Sequence, residues 1–135
     1  MANRITEIEG IEARYAKTLQ DSGIGTTDEL LKEAGPAQGR KTLADRMGVP
    51  PNTLLEWVNR ADLMRIKGIG MEYSDLLEEA GVDSTKELAA RVPANLQSKM
   101  AEINTQKHLV QRTPTASDVE NWVSAAKKLP QMVTH

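Results

Sequence analysis

Apolar residues fall at helical spacing in a series of short segments, each closed by glycine or proline. After a short arm containing Arg4, residues 12–22 carry Ala13, Ala16 and Leu19 on a thin apolar face, with Tyr15 beside it, and Gly23 stops them. Thr26 or Thr27 caps a helix running to residue 34, which Gly35-Pro36 ends, and residues 39–47 form another, closed by Gly48. Pro50-Pro51 breaks the chain before residues 52–63, where Leu54, Trp57, Val58 and Ala61 share one stripe. Residues 71–80 end at Gly81, residues 84–91 end before Pro93, and residues 95–106 turn Leu96, Met100 and Ile103 inward. Residues 107–115 are polar and less regular. Ser117-Asp118-Val119-Glu120 reads as a capping box for a last helix, 117–128, which Leu129-Pro130 ends. The pattern predicts an all-α fold of about eight short helices.

Much of this pattern is written twice. At an offset of 58, Ile8, Gly10, Ile11, Tyr15 and Leu19 fall on Ile66, Gly68, Ile69, Tyr73 and Leu77. Gly23, Thr26 and Glu29 then meet Gly81, Ser84 and Glu87, so each copy reads as loop, helix, glycine stop and Ser/Thr-x-x-Glu capping box. At an offset of 65, Leu54, Trp57, Val58 and Ala61 match Val119, Trp122, Val123 and Ala126. The second copy is therefore longer by seven residues, most simply placed within 106–115. Every aromatic residue, two Trp and two Tyr, has its counterpart in the other copy. Internal duplication follows: one compact domain, 1–135, built of repeats 5–63 and 64–130.

The sharpest local signal is Arg65-Ile66-Lys67-Gly68-Ile69-Gly70, which has the form of a helix-hairpin-helix loop. Two glycines two apart permit positive φ and a close backbone approach, and the following helix starts near Met71 with unpaired N–H groups. Such a junction suits a phosphate. The first loop differs, because Glu9 stands in place of Lys67 and Glu12 in place of Gly70. Two carboxylates repel an anion, so that loop is expected to be structural.

The segments IEGIEARYAKTLQDSGI, WVNRADLMRIKGIGMEYSDLLEEAGV and VENWVSAAKKLP give the chain a resemblance to a family of mostly bacterial, uncharacterised two-repeat helix-hairpin-helix proteins, a domain-of-unknown-function family supposed to bind DNA. The resemblance covers roughly residues 5–130 and implies an all-α tandem helix-hairpin-helix domain. A second resemblance, of TLADRMGVPPNTLLEWVNR to a helix-turn-helix, would offer Asn59 and Arg60 to bases. Trp57 and Val58 recur at Trp122 and Val123 without such a pattern, so a core role for that stripe is preferred.

Composition restricts the chemistry. Without phenylalanine the core rests on Leu, Ile, Val, Ala and Met, anchored by the two Trp. With no cysteine there is no disulfide, thiolate metal site or thiol nucleophile. The two histidines, His108 and His135, are isolated, Asp75 and Glu78-Glu79 read as a solvated acidic face, and no nucleotide-binding or zinc-protease motif occurs. No enzyme activity, cofactor or metal is expected. No basic-then-apolar leader and no run of about 18–20 apolar residues is present, so a cytoplasmic protein without a membrane partner is expected.

Net charge is −2, with 17 basic against 19 acidic residues, so a DNA site here depends on where the bases lie. The expected phosphate site is Arg60, Arg65, Lys67, Gly68, Ile69, Gly70 and Met71, binding duplex DNA weakly and without sequence preference. Its salt dependence should be shallow, a slope of about −2 to −4. The alternative is a protein-interaction module that keeps the fold without nucleic acid. Because the first loop begins at Ile8, no room precedes it for a helix, and the helix 117–128 is expected to fold back on it. That pseudo-two-fold closure would set Trp122 against the first loop and Trp57 against the second. It would also gather Arg4, Lys127 and Lys128 near Gly10 as a secondary site.

Overall fold

The computed structural model describes residues 4–8 and 10–134. Eight helices follow a 3₁₀ turn at Ile5–Glu7: α1 Ala13–Asp21, α2 Thr27–Ala34, α3 Ala37–Met47, α4 Pro51–Leu63, α5 Met71–Glu79, α6 Thr85–Ala89, α7 Pro93–Lys107 and α8 Ala116–Lys128. Among the described residues there is no strand, only an isolated antiparallel bridge between Arg4 and Thr26. None of these helices is long and apolar enough to cross a membrane.

The starts of several helices differ from expectation for identifiable reasons. Pro51 and Pro93 are first helical residues rather than breaks, since proline's fixed φ and missing N–H suit the first turn. Gly39 lies inside α3, where a Cβ would collide with the Glu33 carbonyl, so close packing explains the glycine there. The box at the start of α8 is Thr115 with Asp118, not Ser117 with Glu120. The box at α2 is complete, Thr26 with Glu29. At α6 only half forms: Ser84 Oγ accepts from the Glu87 N–H at 3.2 Å.

Two apolar cores divide the chain. Ile5, Leu19, Leu30, Leu31, Leu54 and Val58 sit in the first, and Leu63, Leu76, Leu77, Leu88, Met100 and Val119 in the second. Helix α4 serves both, with Leu54 to Ala61 in one and Leu63 in the other. Within each half, the Trp-bearing helix returns onto its own repeat: α4 lies against α2, and α8 against α6 and α7.

The expected fold-back of α8 onto the N-terminal loop is therefore reversed. Trp57 stands at the first loop and Trp122 at the second. The first loop does not lack cover. The Ile5 N–H donates to the Gly25 carbonyl at 3.2 Å, Ile5 and Ile8 are buried, and Tyr15 of α1 tilts onto the Trp57 ring 5.6 Å away. A three-residue turn and the helix four elements later do what a preceding helix would have done.

What does cross back is the tail after α8. Val133 is buried in the first core with Met132 beside it. The Thr134 N–H donates to the Gly35 carbonyl at 3.0 Å, and Thr134 Oγ1 accepts from the Ala37 N–H at 2.9 Å. Arg40 is buried and donates to the carbonyls of Ala34, Gly35 and Thr134 at 3.1, 2.7 and 2.6 Å. Burial lowers its pKa from the ordinary arginine value.

Candidate functional site

The two glycine loops have nearly the same backbone. Gly10 and Gly68 have φ of +98° and +96°, a region that favours glycine. The Ile11 N–H donates to the Ile8 carbonyl at 3.2 Å and the Ile69 N–H to the Ile66 carbonyl at 3.0 Å. All four isoleucines are buried, so each loop is pinned from below by apolar side chains. Gly70 has φ −94° and needs no glycine for its conformation; a Cβ there would meet nothing within 4 Å. The N–H groups of Gly68 and Gly70 have no acceptor among the described residues. They lie just before α5, and the loop forms an open depression of about 660 Å³ lined by Met64 to Gly70.

The cations expected around this loop are mostly turned inward. Arg60 pairs with Asp75, and with Glu78 at 3.1 Å, across the α4–α5 junction. Arg65 pairs with Asp62 at 2.6 Å, and also donates to Thr85 Oγ1 at 3.3 Å and the Pro130 carbonyl at 3.0 Å. The Asp62–Arg65 pair is almost fully buried, at 3% and 10% side-chain exposure. Asp62 also accepts from the Thr85 N–H at 2.8 Å and Thr85 Oγ1 at 3.1 Å, so it caps α6. A buried pair this well bonded holds its arginine in the fold. Lys67 alone of the three is exposed at the loop.

The secondary cluster does not assemble. Lys127 borders a depression with Thr85, Lys86 and Ala89 of α6, Lys128 ends α8, which lies on α6 and α7, and Arg4 faces Thr26. Near Gly10 the structure instead has Glu12 accepting from Arg14 Nε at 3.1 Å, with Arg14 stacked 4.5 Å from the Tyr15 ring centre. Glu9 and His135 lie outside the described residues. The base-reading role of Asn59 and Arg60 also fails: Arg60 is paired, and Asn59 Oδ1 is buried without a partner. His108 is exposed and ends α7 in a left-handed conformation.

A neighbouring depression shares Ile66, Lys67 and Gly68 with the loop and adds Asp118, Asn121, Trp122 and Ala125 from α8. These α8 residues were missed in the sequence, although the duplicated Trp was the available signal. Asp118 accepts from the Thr115 N–H at 3.0 Å and from Arg112 at 3.2 Å; the Thr115 amide above all holds its carboxyl below the ordinary value. No group of acidic or histidine side chains among the described residues could hold a metal ion.

Residues 9–129 match the family model described as Domain of unknown function (DUF4332). No curated protein and no solved structure matches the chain.

Proposed function

We propose a function from one premise: this chain belongs to the family described as Domain of unknown function (DUF4332), which lends it a relationship and no activity. We read the chain as a tandem helix-hairpin-helix module that binds duplex DNA weakly, without sequence preference and without catalysis, through backbone phosphates at the second loop. The observation that carries this reading is the pair of N–H donors without acceptors at Gly68 and Gly70, beside Lys67 in an open depression. Donors of that kind at a helix start favour an anion, and a backbone phosphate is the anion that sequence-independent binding uses.

Arg60 and Arg65 leave the expected charge set because their partners are internal. The reading then rests on Lys67 and the N–H groups of Gly68 and Gly70, since the Ile69 N–H is taken by the Ile66 carbonyl. With Lys67 as the exposed cation at the loop, binding should be weak and the salt slope about −1 instead of −2 to −4. Fluorescence anisotropy with a random-sequence duplex, at low and then moderate salt, tests it. Absence of binding at low salt sinks the reading.

A second reading is favoured by a specific observation. Both arginines are committed to internal pairs, while Glu72 in the first turn of α5 is exposed next to the loop. That surface suits a basic protein partner, and the module would then have kept its architecture without nucleic acid.

A further inference from the structure

We infer that the indole N–H groups of Trp122 and Trp57 are ligand donors, each placed at the glycine of its loop to give a hydrogen bond to a phosphate oxygen. The inference rests on reading the second loop as a phosphate site and adds a side-chain donor to that site.

Trp122 is 5% exposed and Trp57 2%, yet neither Nε1 has an acceptor among the described residues. Buried tryptophans usually satisfy their N–H within the protein. Here the nitrogen is not sealed in: among the described residues, Asn59 Oδ1 is the buried side-chain polar atom left without a partner. Trp122 borders an open depression together with Lys67 and Gly68, which gives a ligand room beside its ring. Each indole nitrogen lies next to the glycine of its loop. A Cβ at Gly68 would stand 3.2 Å from Trp122 Nε1, and one at Gly10 would stand 3.6 Å from Trp57 Nε1. Gly68 thus has two functions, a φ of +96° and an open line to the indole.

An indole nitrogen donates and does not accept, so it complements an anion and not a metal or an amine. Its direction is fixed. Tyr73 tilts on Trp122 with ring centres 5.2 Å apart, and the Tyr73 hydroxyl donates to the Arg112 carbonyl at 2.8 Å. The depression that exposes Trp122 shares Ile66, Lys67 and Gly68 with the one containing Gly70, so backbone donors, lysine and indole border one continuous surface. The arrangement also occurs twice. The glycines correspond at an offset of 58 and the tryptophans at 65, so the pairing of indole with glycine persists across a change in chain length.

The test is a titration of the full chain followed by ¹H–¹⁵N correlation spectra. Its two indole cross-peaks are assigned with Trp57→Phe and Trp122→Phe, and the ligands are a short random-sequence duplex and inorganic phosphate. With duplex, the Trp122 indole proton should move downfield and saturate together with the Gly68 amide. The Trp57 indole should move less, because Glu9 and Glu12 discourage an anion at its loop. Movement with inorganic phosphate as well identifies a general phosphate subsite; movement with duplex alone identifies one that needs the diester backbone. Either supports the inference. Trp122→Phe should weaken duplex binding about 10-fold, the worth of one hydrogen bond to a charged group. The wild-type spectra decide the matter if that variant folds poorly. Duplex binding seen by anisotropy, with the Gly68 and Gly70 amides moving and the Trp122 indole still, overturns the inference and leaves the DNA reading standing. No anisotropy change at low salt overturns both.

Discussion

The two glycine loops are close copies in backbone and opposites in charge. Gly10 and Gly68 share a positive φ, the paired isoleucines close the same turn, and a tryptophan and a tyrosine stand behind each. In sequence the first loop carries Glu12 where the second has Gly70, and Glu9 where it has Lys67. Residues that set the backbone are therefore separable from residues that decide whether an anion is welcome. The halves differ again in how they hold the helix after the glycine stop. In the second, Asp62 and Arg65 cap and clamp α6. In the first, Arg40 and the returning tail clamp the end of α2, with carbonyls as the partners of the arginine.

The largest expected effect breaks the second clamp. Asp62→Ala leaves Arg65 buried without its carboxylate and the Thr85 N–H without its acceptor. Loss of about 3–5 kcal/mol is expected, the cost of an uncompensated buried charge. Urea denaturation measures it; a loss under about 1 kcal/mol would show that the pair contributes no more than a surface one.

The first clamp should be weaker. Removing residues 131–135 exposes the Val133 site, and strips Arg40 and Gly35 of their Thr134 contacts. We expect a loss of about 2–4 kcal/mol, with the amides of α2 and α3 losing hydrogen-exchange protection before those of α6. Gly35→Ala should act in the same direction, since a Cβ would meet the Leu31 and Met132 carbonyls. Uniform loss of protection across both halves would contradict the assignment of the tail to the first.

Next in size is a contrast inside one loop. Gly68→Ala forces an L side chain into φ +96° and toward Trp122, and should cost about 1–3 kcal/mol. Gly70→Ala meets open space at an ordinary φ and should change stability by less than about 1 kcal/mol. Equal costs, measured by thermal unfolding, would mean the two glycines serve the same purpose.

Exchanging the loops' charges probes binding with little effect on the fold. Lys67→Glu with Gly70→Glu gives the second loop the first loop's pattern, at positions that are both exposed. Duplex affinity should fall about tenfold or more while the melting temperature hardly moves. Glu9→Lys with Glu12→Gly should do the reverse at the first loop. Unchanged affinity in the first variant would remove the loop from the binding surface.

Much of this was legible from residues alone, because it depends on neighbours in the chain. Glycine stops, the Thr26 box and the apolar stripe of α4 declare themselves within four residues. The alignment of the two copies likewise pairs each Tyr with a Tyr and each Trp with a Trp. What it leaves open is which tryptophan faces which loop, since a duplicated pattern fits both pairings equally well. The supposed lack of a helix before Ile8 pointed to the wrong one, because a three-residue turn with Ile5 buried suffices. The fates of Arg60 and Arg65 were hidden for a different reason. Asp75, a partner of Arg60, lies 15 residues away. Asp62 is only three residues from Arg65, but what else Arg65 bonds to, Thr85 and Pro130, lies 20 and 65 residues away, where no local pattern marks it.

The smallest effect separates two helix caps that look alike in sequence. Thr26-x-x-Glu29 and Ser84-x-x-Glu87 occupy equivalent places, but only the first closes. Glu29 Oε1 accepts from the N–H groups of Gly25 and Thr26 at 3.0 and 3.1 Å and from Thr26 Oγ1 at 3.1 Å. The Gly25 amide, followed by the Thr26 hydroxyl, holds the Glu29 carboxyl below its ordinary pKa. A carboxyl lowered by folding stabilises the native state at pH values above its unfolded pKa, and stops doing so as the pH falls through its folded one. The start of α2 should accordingly loosen as the pH drops from the ordinary glutamate range into the more acid range below it. Asp118, lowered chiefly by the Thr115 amide, should release the start of α8 in the same direction. Side-chain carboxyl chemical shifts followed by NMR between pH 7 and pH 2 should place Glu29 below the ordinary glutamate range. Glu29→Gln should remove the acid-dependent loosening of α2, while Glu87→Gln should leave α6 unaltered. A Glu29 that titrates in the ordinary glutamate range would mean that the α2 cap is open in solution.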